Sequence, residues 1–194
     1  MERHKSSREL KQAYKEIREA ISAKVAPFDK NAEMQKEQRK QKALVDLQFF
    51  GETYFPHYLT APPSTMHKEM YMNFQNEILA AESAKMGRGS ASRCILAAPR
   101  GNAKSTLVSL LLPLWCIVGR RRRFIGILSD TTEQANEFLE FIKAELETNE
   151  RLRTDFPDIC GPGRTWKTGH IITMNGTKVR RWVMFLFLRL SWKS

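Results

Sequence analysis

The sequence has few cysteines and no apolar run long enough to span a membrane. Its three cysteines, Cys94, Cys116 and Cys160, are far apart and include no Cys-x-x-Cys pair, so they support neither a disulfide framework nor a zinc site. A reducing cytoplasm is the compartment we expect. The longest apolar runs, 107–118 and 182–188, fall short of the ~20 residues that a membrane span needs, and the N-terminus has no signal-peptide pattern. We therefore expect a soluble protein with no membrane partner.

Acidic residues are also scarce, and they stop early. The chain has 32 Lys and Arg against 21 Asp and Glu, which gives a formal net charge of +11 at pH 7. This excess favours an acidic partner such as nucleic acid or nucleotide phosphates, but a solvated basic surface explains it equally well. Asp158 is the last acidic residue, so residues 159–194 contain no carboxylate side chain.

The N-terminal residues have the periodicity of a helix. Between Leu10 and Val25, apolar side chains recur at steps of three and four residues, which predicts an amphipathic helix within residues 1–24. The apolar stripe of this helix either packs on the rest of the chain or forms a contact arm for a partner subunit or DNA.

Two further helices and an aromatic loop follow. One helix is predicted over residues 31–50 with Gly51 at its end, and another begins after Ser64 or Thr65, either of which can cap it. Residues 53–64, between these helices, form a loop with three prolines and several aromatic residues. These aromatic side chains either pack in a core or form a wall for an adenine. The candidates for adenine stacking are Tyr54, Phe55 and His67.

The stretch 93–106 predicts a buried strand, a tight loop and the first turn of a helix. Its residues Ala98-Pro-Arg-Gly-Asn-Ala-Lys-Ser105 match the phosphate-binding loop G-x-x-x-x-G-K-[ST], except that both framing glycines are alanine. In such a loop the backbone amides surround the β-phosphate, the lysine reaches the β- and γ-oxygens, and the hydroxyl holds Mg²⁺. We therefore predict a site for a nucleotide. The alternative is an ordinary strand–helix turn with exposed Arg100 and Lys104.

The predicted cofactor-binding residues run from the loop to the first helical turn. They are Pro99, Arg100, Gly101, Asn102, Ala103, Lys104, Ser105 and Thr106. A lysine near a helix N-terminus opposes the helix dipole, and a bound anion explains its presence. Arg100 either reaches the γ-phosphate and stabilises charge during transfer, or is a surface arginine.

A basic turn and a second strand come next. Residues 120–123 are four consecutive arginines, which either contact DNA phosphates or mark the basic end of a helix. Residues 124–128 predict a continuous apolar strand, and a helix follows over 132–149 with Asp130 suited to its cap. Apolar strands that alternate with helices indicate an α/β fold with a parallel sheet. A β-hairpin with an Asn-Gly turn is predicted over residues 170–179.

Four segments together resemble the ATPase domain of phage terminase large subunits. They are Tyr54-Phe-Pro-His-Tyr with Pro62-Pro-Ser-Thr-Met-His67, then Ala98–Thr106, then Leu128-Ser-Asp-Thr-Thr-Glu-Gln-Ala135, and finally Trp166–Val179. The second segment is similar to the variant P-loop of that family, which commonly carries an arginine. The resemblance implies a P-loop NTPase sheet, here partial, behind an N-terminal helical extension. It also implies an ATP-driven motor that pumps double-stranded DNA into a capsid.

The resemblance assigns roles to individual residues. Lys104 would bind the β- and γ-phosphates of ATP, Ser105 would hold Mg²⁺, and Arg100 would act on the γ-phosphate, so Arg100 and Lys104 are the catalytic candidates. The implied partners are double-stranded DNA, the small terminase subunit and the portal, in the cytoplasm of a bacterial host that carries the phage or prophage. The expected domains are a helical extension over 1–50, an incomplete ATPase domain over 51–180, and an atypical tail over 181–194.

The chain departs from this family after the hairpin. The family needs a strand that ends in two carboxylates, of which one orders Mg²⁺ and one activates water, and then a nuclease domain. Residues after Asp158 supply no such carboxylate, and Asp130 is the one substitute, unless it only caps a helix. Either a frameshift near Arg180 replaced the rest of the motor, or residues 181–194 are a genuine short C-terminus. We therefore expect ATP binding with weak or no hydrolysis. A different P-loop translocase or kinase and a non-catalytic remnant that binds DNA or motor subunits stay as alternatives.

Overall fold

The fold is that of a computed structural model, which describes residues 7–29, 35–83, 94 and 103–183. The N-terminal part contains helices α1 (Ser7–Lys24), α2 (Lys36–Val45), α3 (Leu47–Tyr54) and α4 (Thr65–Ser83). The following part contains α5 (Lys104–Thr106), a π-helical segment (Leu107–Leu111), α6 (Leu112–Val118), β1 (Phe124–Ser129), α7 (Thr132–Thr148), α8 (Glu150–Asp155), β2 (Thr165–Trp166), β3 (His170–Ile172) and β4 (Lys178–Val183).

The four strands form one mixed sheet in the order β1-β4-β3-β2. β1 and β4 run parallel, with Phe124 opposite Lys178 and Ser129 opposite Val183. β3 is antiparallel to both β4 and β2. The predicted α/β class is confirmed, but the expectation of a parallel sheet is wrong for the described strands, because the hairpin places β3 antiparallel to β4. The strand predicted ahead of the loop lies outside the described residues, apart from Cys94, which is exposed.

The predicted hairpin is confirmed, and β4 extends beyond it. The side chain of Asn175 organises the turn: its Oδ1 accepts hydrogen bonds from Thr173 Oγ1 at 2.6 Å and from Thr177 N at 3.2 Å. Gly176 has a φ of 85°, a conformation that glycine adopts without strain. Residues 181–183, where the atypical tail was predicted to begin, continue β4. Residues 184–194 lie outside the described part.

One hydrophobic core unites the N-terminal helices with the sheet. Its fully buried side chains include Phe50 of α3, Leu114 and Trp115 of α6, and Leu139 of α7, and Val179 contributes from β4. The boundary predicted at residue 50 falls inside α3, and the helices on both sides of it pack against the same core.

Two details of the predicted second helix are wrong. It consists of two helices, because Asp46 is extended and its side chain caps α3. Gly51 does not end the helix, since α3 continues to Tyr54. A Cβ atom on Gly51 would lie 3.2 Å from Leu59 Cδ1, so the glycine serves close packing of the following loop and not helix termination.

The apolar stripe of α1 packs on α7. Ile21 and Val25 are buried and contact Ala144. Arg18 forms an ion pair with Glu147, and its Nη2 lies 3.6 Å from Glu140 Oε2. The sequence left two roles open for this stripe, and the structure shows the first: the stripe packs on the rest of the chain.

Candidate functional site

The predicted nucleotide loop is only partly described. Pro99, Arg100, Gly101 and Asn102 lie outside the described residues. Ala103 is described and is left-handed, with φ 47° and ψ 17°, immediately before α5. Glycine adopts the left-handed conformation without strain, whereas this conformation costs an L-residue about 1–2 kcal/mol of free energy. Ala103 thus has a glycine-like conformation where the phosphate-loop pattern carries its second glycine.

Lys104, Ser105 and Thr106 form the first turn of the helical stretch that runs to Val118. Ser105 is exposed, and the other two side chains are half-buried. Backbone amides in a first helical turn have no intrahelical acceptor, and together with the helix dipole they favour an anion. The ammonium and these amides can donate hydrogen bonds to the phosphates of a nucleoside triphosphate, and the hydroxyl can supply an oxygen ligand to its Mg²⁺.

The described residues offer few protein ligands for Mg²⁺. In the part of the chain that the structure describes, no three His, Cys, Asp or Glu side chains are grouped to hold a metal ion. The exposed hydroxyl of Ser105 fits the role of one oxygen ligand, and Mg²⁺ usually takes others from substrate phosphates and water.

The helix behind this first turn is held firmly. Leu112 N donates to Leu107 O, five residues back, so one turn is π-helical, and Pro113, which follows it, has no backbone N–H to donate. Trp115 Nε1 donates to Ala43 O at 2.8 Å. Asn175 Nδ2 donates to the carbonyl of the penultimate residue of α6 at 2.7 Å. These bonds fix the helix to α2 and to the hairpin, so the first turn rests on a rigid support.

Asp130 does not cap α7, contrary to the prediction. The cap is Thr131, whose side chain accepts a hydrogen bond from Gln134 N at 3.2 Å. Asp130 is exposed just after the carboxyl end of β1, and its side chain has no hydrogen bond or ion pair with another described residue. Ligands of α/β proteins bind at the carboxyl ends of parallel strands, so Asp130 lies at the correct edge for a site.

The four-arginine turn divides into two roles. Arg121 is almost buried: its guanidinium lies 4.0 Å from the Trp115 ring centroid, and Nη1 donates to Glu82 at 2.7 Å. Arg122 approaches the same carboxylate at 4.0 Å. Arg120 and Arg123 are exposed. Two of the arginines therefore fasten the turn, and two remain accessible to phosphate.

The candidates for adenine stacking differ in their accessibility. Tyr54 and Phe55 are both 0% exposed, and their rings pack on Phe50 at centroid distances of 5.4 and 5.3 Å. Neither ring can stack on a ligand in this conformation. His67 is half-buried, and its Nδ1 lies 2.9 Å from Ser64 Oγ, which also accepts from His67 N at 3.4 Å. Ser64 is thus the cap of α4, which is one of the two caps that the sequence predicted.

A buried polar cluster joins α2, α3, α7 and α8, and no sequence pattern had indicated it. Asp155 accepts hydrogen bonds from Arg39 and, at 2.7 Å, from the hydroxyl of Tyr54. Glu145 accepts from Asn149 Nδ2 at 2.7 Å. Burial raises the pKa of Tyr54 far above its usual value. Because protein donors satisfy both carboxylates, we assign this cluster a structural role.

Comparisons with known proteins give no relatives. No model of a protein family matches the chain, and neither a curated protein nor a solved structure matches it. Within the described residues, none of the helices is both apolar and long enough to pass through a lipid bilayer.

Proposed function

We propose that the chain is the ATP-binding part of a viral DNA-packaging motor, similar to the ATPase of phage terminase large subunits. One observation carries the proposal: Lys104, Ser105 and Thr106 begin a firmly held helix directly after Ala103, which has the backbone conformation of a glycine. The β1 strand, α7 and the hairpin follow in the order of the resembling segments.

In this proposal each residue of the loop has a chemical task. Lys104 binds the β- and γ-phosphates of ATP, and the hydroxyl of Ser105 holds Mg²⁺. Arg100 acts on the γ-phosphate, and the backbone N–H groups from Arg100 to Thr106 surround the β-phosphate. The exposed Arg120 and Arg123 would contribute to the attraction of double-stranded DNA. The small terminase subunit and the portal would be the protein partners.

Hydrolysis by this chain is expected to be weak or absent. Residues 159–194 carry no carboxylate that could order Mg²⁺ or activate water after the hairpin. In this proposal residues 99–106 hold the phosphates, and the carboxylates that complete hydrolysis in the resembling family have no counterpart within residues 159–194.

A second candidate function is a different P-loop enzyme that uses Asp130. The observation in its favour is that Thr131 and not Asp130 caps α7, which leaves the carboxylate of Asp130 exposed after a parallel strand and without a bond to another described side chain. In such an enzyme, this side chain would assist Mg²⁺ or the attacking water.

An ATPase assay on purified protein separates the two candidates. We expect no magnesium-dependent ATP turnover above background for the wild type. Turnover that Lys104→Ala and Asp130→Asn both abolish would establish the second candidate. Turnover that Lys104→Ala abolishes and Asp130→Asn leaves intact would contradict both the expected inactivity and the role of Asp130. Lys11→Ala, an exposed change on α1, is the control.

A further inference from the structure

One face of the sheet exposes large apolar side chains. Phe124 and Leu128 of β1 are 52% and 55% exposed, and Trp182 of β4 is 47% exposed. They share a face because Phe124 pairs with Lys178 and Leu128 with Trp182, and side chains alternate between the two faces of a strand. On the opposite face, Ile127 is buried in the core. Large apolar groups gathered on an open face indicate a binding surface.

The same face is basic. Lys178 and Arg180 are exposed and flank the buried Val179, and His170 of β3 pairs with Arg180. Among the described residues, the strands direct no carboxylate to this face. The guanidinium of Arg180 lies 5.2 Å from the ring centroid of Trp182. Positive charge and exposed rings therefore occur side by side.

The indole of Trp182 lies next to Gly126 on the neighbouring strand. A Cβ atom on Gly126 would be 3.6 Å from Cδ1 and 3.7 Å from Nε1 of Trp182, so the indole lies across the backbone of β1 at that residue. The Cα atoms of Phe124 and Trp182 are roughly 14 Å apart in regular strand geometry, because Phe124 is four residues from Leu128, the partner of Trp182 on the neighbouring strand. The indole lies over Gly126, two residues from Phe124, so the two rings are neighbours on one face and can take neighbouring bases of one strand.

We propose that this face, defined by Phe124, Leu128, Lys178, Arg180 and Trp182, binds single-stranded nucleic acid. Single strands combine phosphates, which attract Lys178 and Arg180, with unpaired bases, which stack on aromatic rings. A duplex offers the phosphates but keeps its bases stacked inside, so it leaves the rings without partners. The inference does not depend on the nucleotide site, because none of the five residues that define this face belongs to the predicted nucleotide-binding residues 99–106.

Fluorescence anisotropy with a fluorescein-labelled oligothymidylate tests the proposal. We expect the wild type to bind this strand more tightly than a duplex of equal length. Trp182→Ala and Phe124→Ala should each weaken binding by about 5- to 100-fold, because a base–ring stack contributes that much to affinity. Both side chains are about half exposed, so the variants should remain folded, which circular dichroism checks.

The contribution of the Arg180 charge can be measured from the salt dependence of binding. Arg180→Gln should reduce the slope of log affinity against log salt by about 0.7, the value for one phosphate contact with a single strand. Two matched controls should change nothing: Arg153→Gln, an exposed arginine on α8, and Met72→Ala, an exposed apolar residue on α4. The proposal is overturned if the strand does not bind, if the duplex binds as tightly, or if the Trp182 and Phe124 variants bind like the wild type.

Discussion

The guanidinium of Arg39 donates two hydrogen bonds to the carboxylate of Asp155, from Nε to Oδ2 and from Nη2 to Oδ1, both at 2.7 Å. The Asp155 side chain is 0% exposed and that of Arg39 is 10% exposed. The bond to Asp155 raises the pKa of Arg39 above its ordinary value. This bidentate pair joins α2 to α8, so the N-terminal helices and the later part of the chain are held together.

Replacement of Arg39 should therefore be costly. Arg39→Met leaves a buried carboxylate without its charged partner, and we expect the free energy of unfolding to fall by about 3–5 kcal/mol. Arg153→Met is the matched control, because its pair with Glu150 is exposed and should contribute no more than about 1 kcal/mol. Urea unfolding followed by circular dichroism measures both. Equal losses in the two variants would show that the pair does not join the helices as described.

Gly163 should tolerate no side chain. A Cβ atom there would lie 1.9 Å from Ile172 O, a backbone atom that cannot move without distortion of β3. We expect Gly163→Ala to lower the free energy of unfolding by about 3 kcal/mol, the cost of strong overpacking. Gly126→Ala is the comparison, since its Cβ would have no contact closer than 3.6 Å. A Gly163 variant as stable as the wild type would disprove this close approach.

The three cysteines should differ sharply in reactivity. Cys94 is exposed, whereas burial raises the pKa of Cys116 to about 11 and that of Cys160 to about 12. Because the thiolate is the reactive form, a thiol reagent at pH 8 should modify Cys94 rapidly and both Cys116 and Cys160 slowly. Mass spectrometry of the digested protein identifies them. Rapid modification of Cys116 in the folded protein would contradict its burial.

The same thiols predict the direction of alkaline destabilisation. Their pKa values are raised in the folded state, so the folded chain binds these protons more tightly than the unfolded chain. The stability they contribute is complete below pH about 9 and is lost as the pH rises toward 11 and 12. Unfolding midpoints in urea should fall across this range, and Cys116→Ala should reduce the fall. A midpoint that stays constant from pH 8 to 11 would contradict this linkage.

The backbone of Ala103 can be tested by restoring a glycine. Ala103→Gly removes the cost of a left-handed L-residue, about 1–2 kcal/mol, but increases the entropy of the unfolded chain. We expect a small net gain in the free energy of unfolding, below about 1 kcal/mol. Ala135→Gly, in the interior of α7, should instead be destabilising. A loss at Ala103 as large as that at Ala135 would exclude the left-handed conformation.

Local patterns predicted the elements well because each rests on nearby residues. The repeat from Leu10 to Val25 predicted α1, and Asn175-Gly176 predicted the hairpin. Errors arose where one residue type serves two purposes. Gly51 allows close packing and does not end a helix, and Thr131 takes the cap that Asp130 was expected to form.

Long-range contacts were beyond the sequence patterns. The bond of Arg39 to Asp155 joins residues 116 positions apart, and no local spacing indicates such a partner. Likewise, the exposed sheet face depends on the register of β1 against β4, which places Leu128 beside Trp182. At the candidate site, the sequence identified the Lys104–Thr106 turn as the start of a helix, but its support by Trp115 and Ala43 became visible only in the fold.

A measurement of ATP binding shows whether the loop that ends in Lys104–Thr106 holds a nucleotide. Isothermal titration of the purified chain with a non-hydrolysable ATP analogue should show binding that requires Mg²⁺. Lys104→Ala should abolish this binding, because it removes the ammonium group that binds the β- and γ-phosphates. Lys11→Ala should bind like the wild type. No binding to the wild-type chain, or equal binding by the Lys104 variant, would contradict the account.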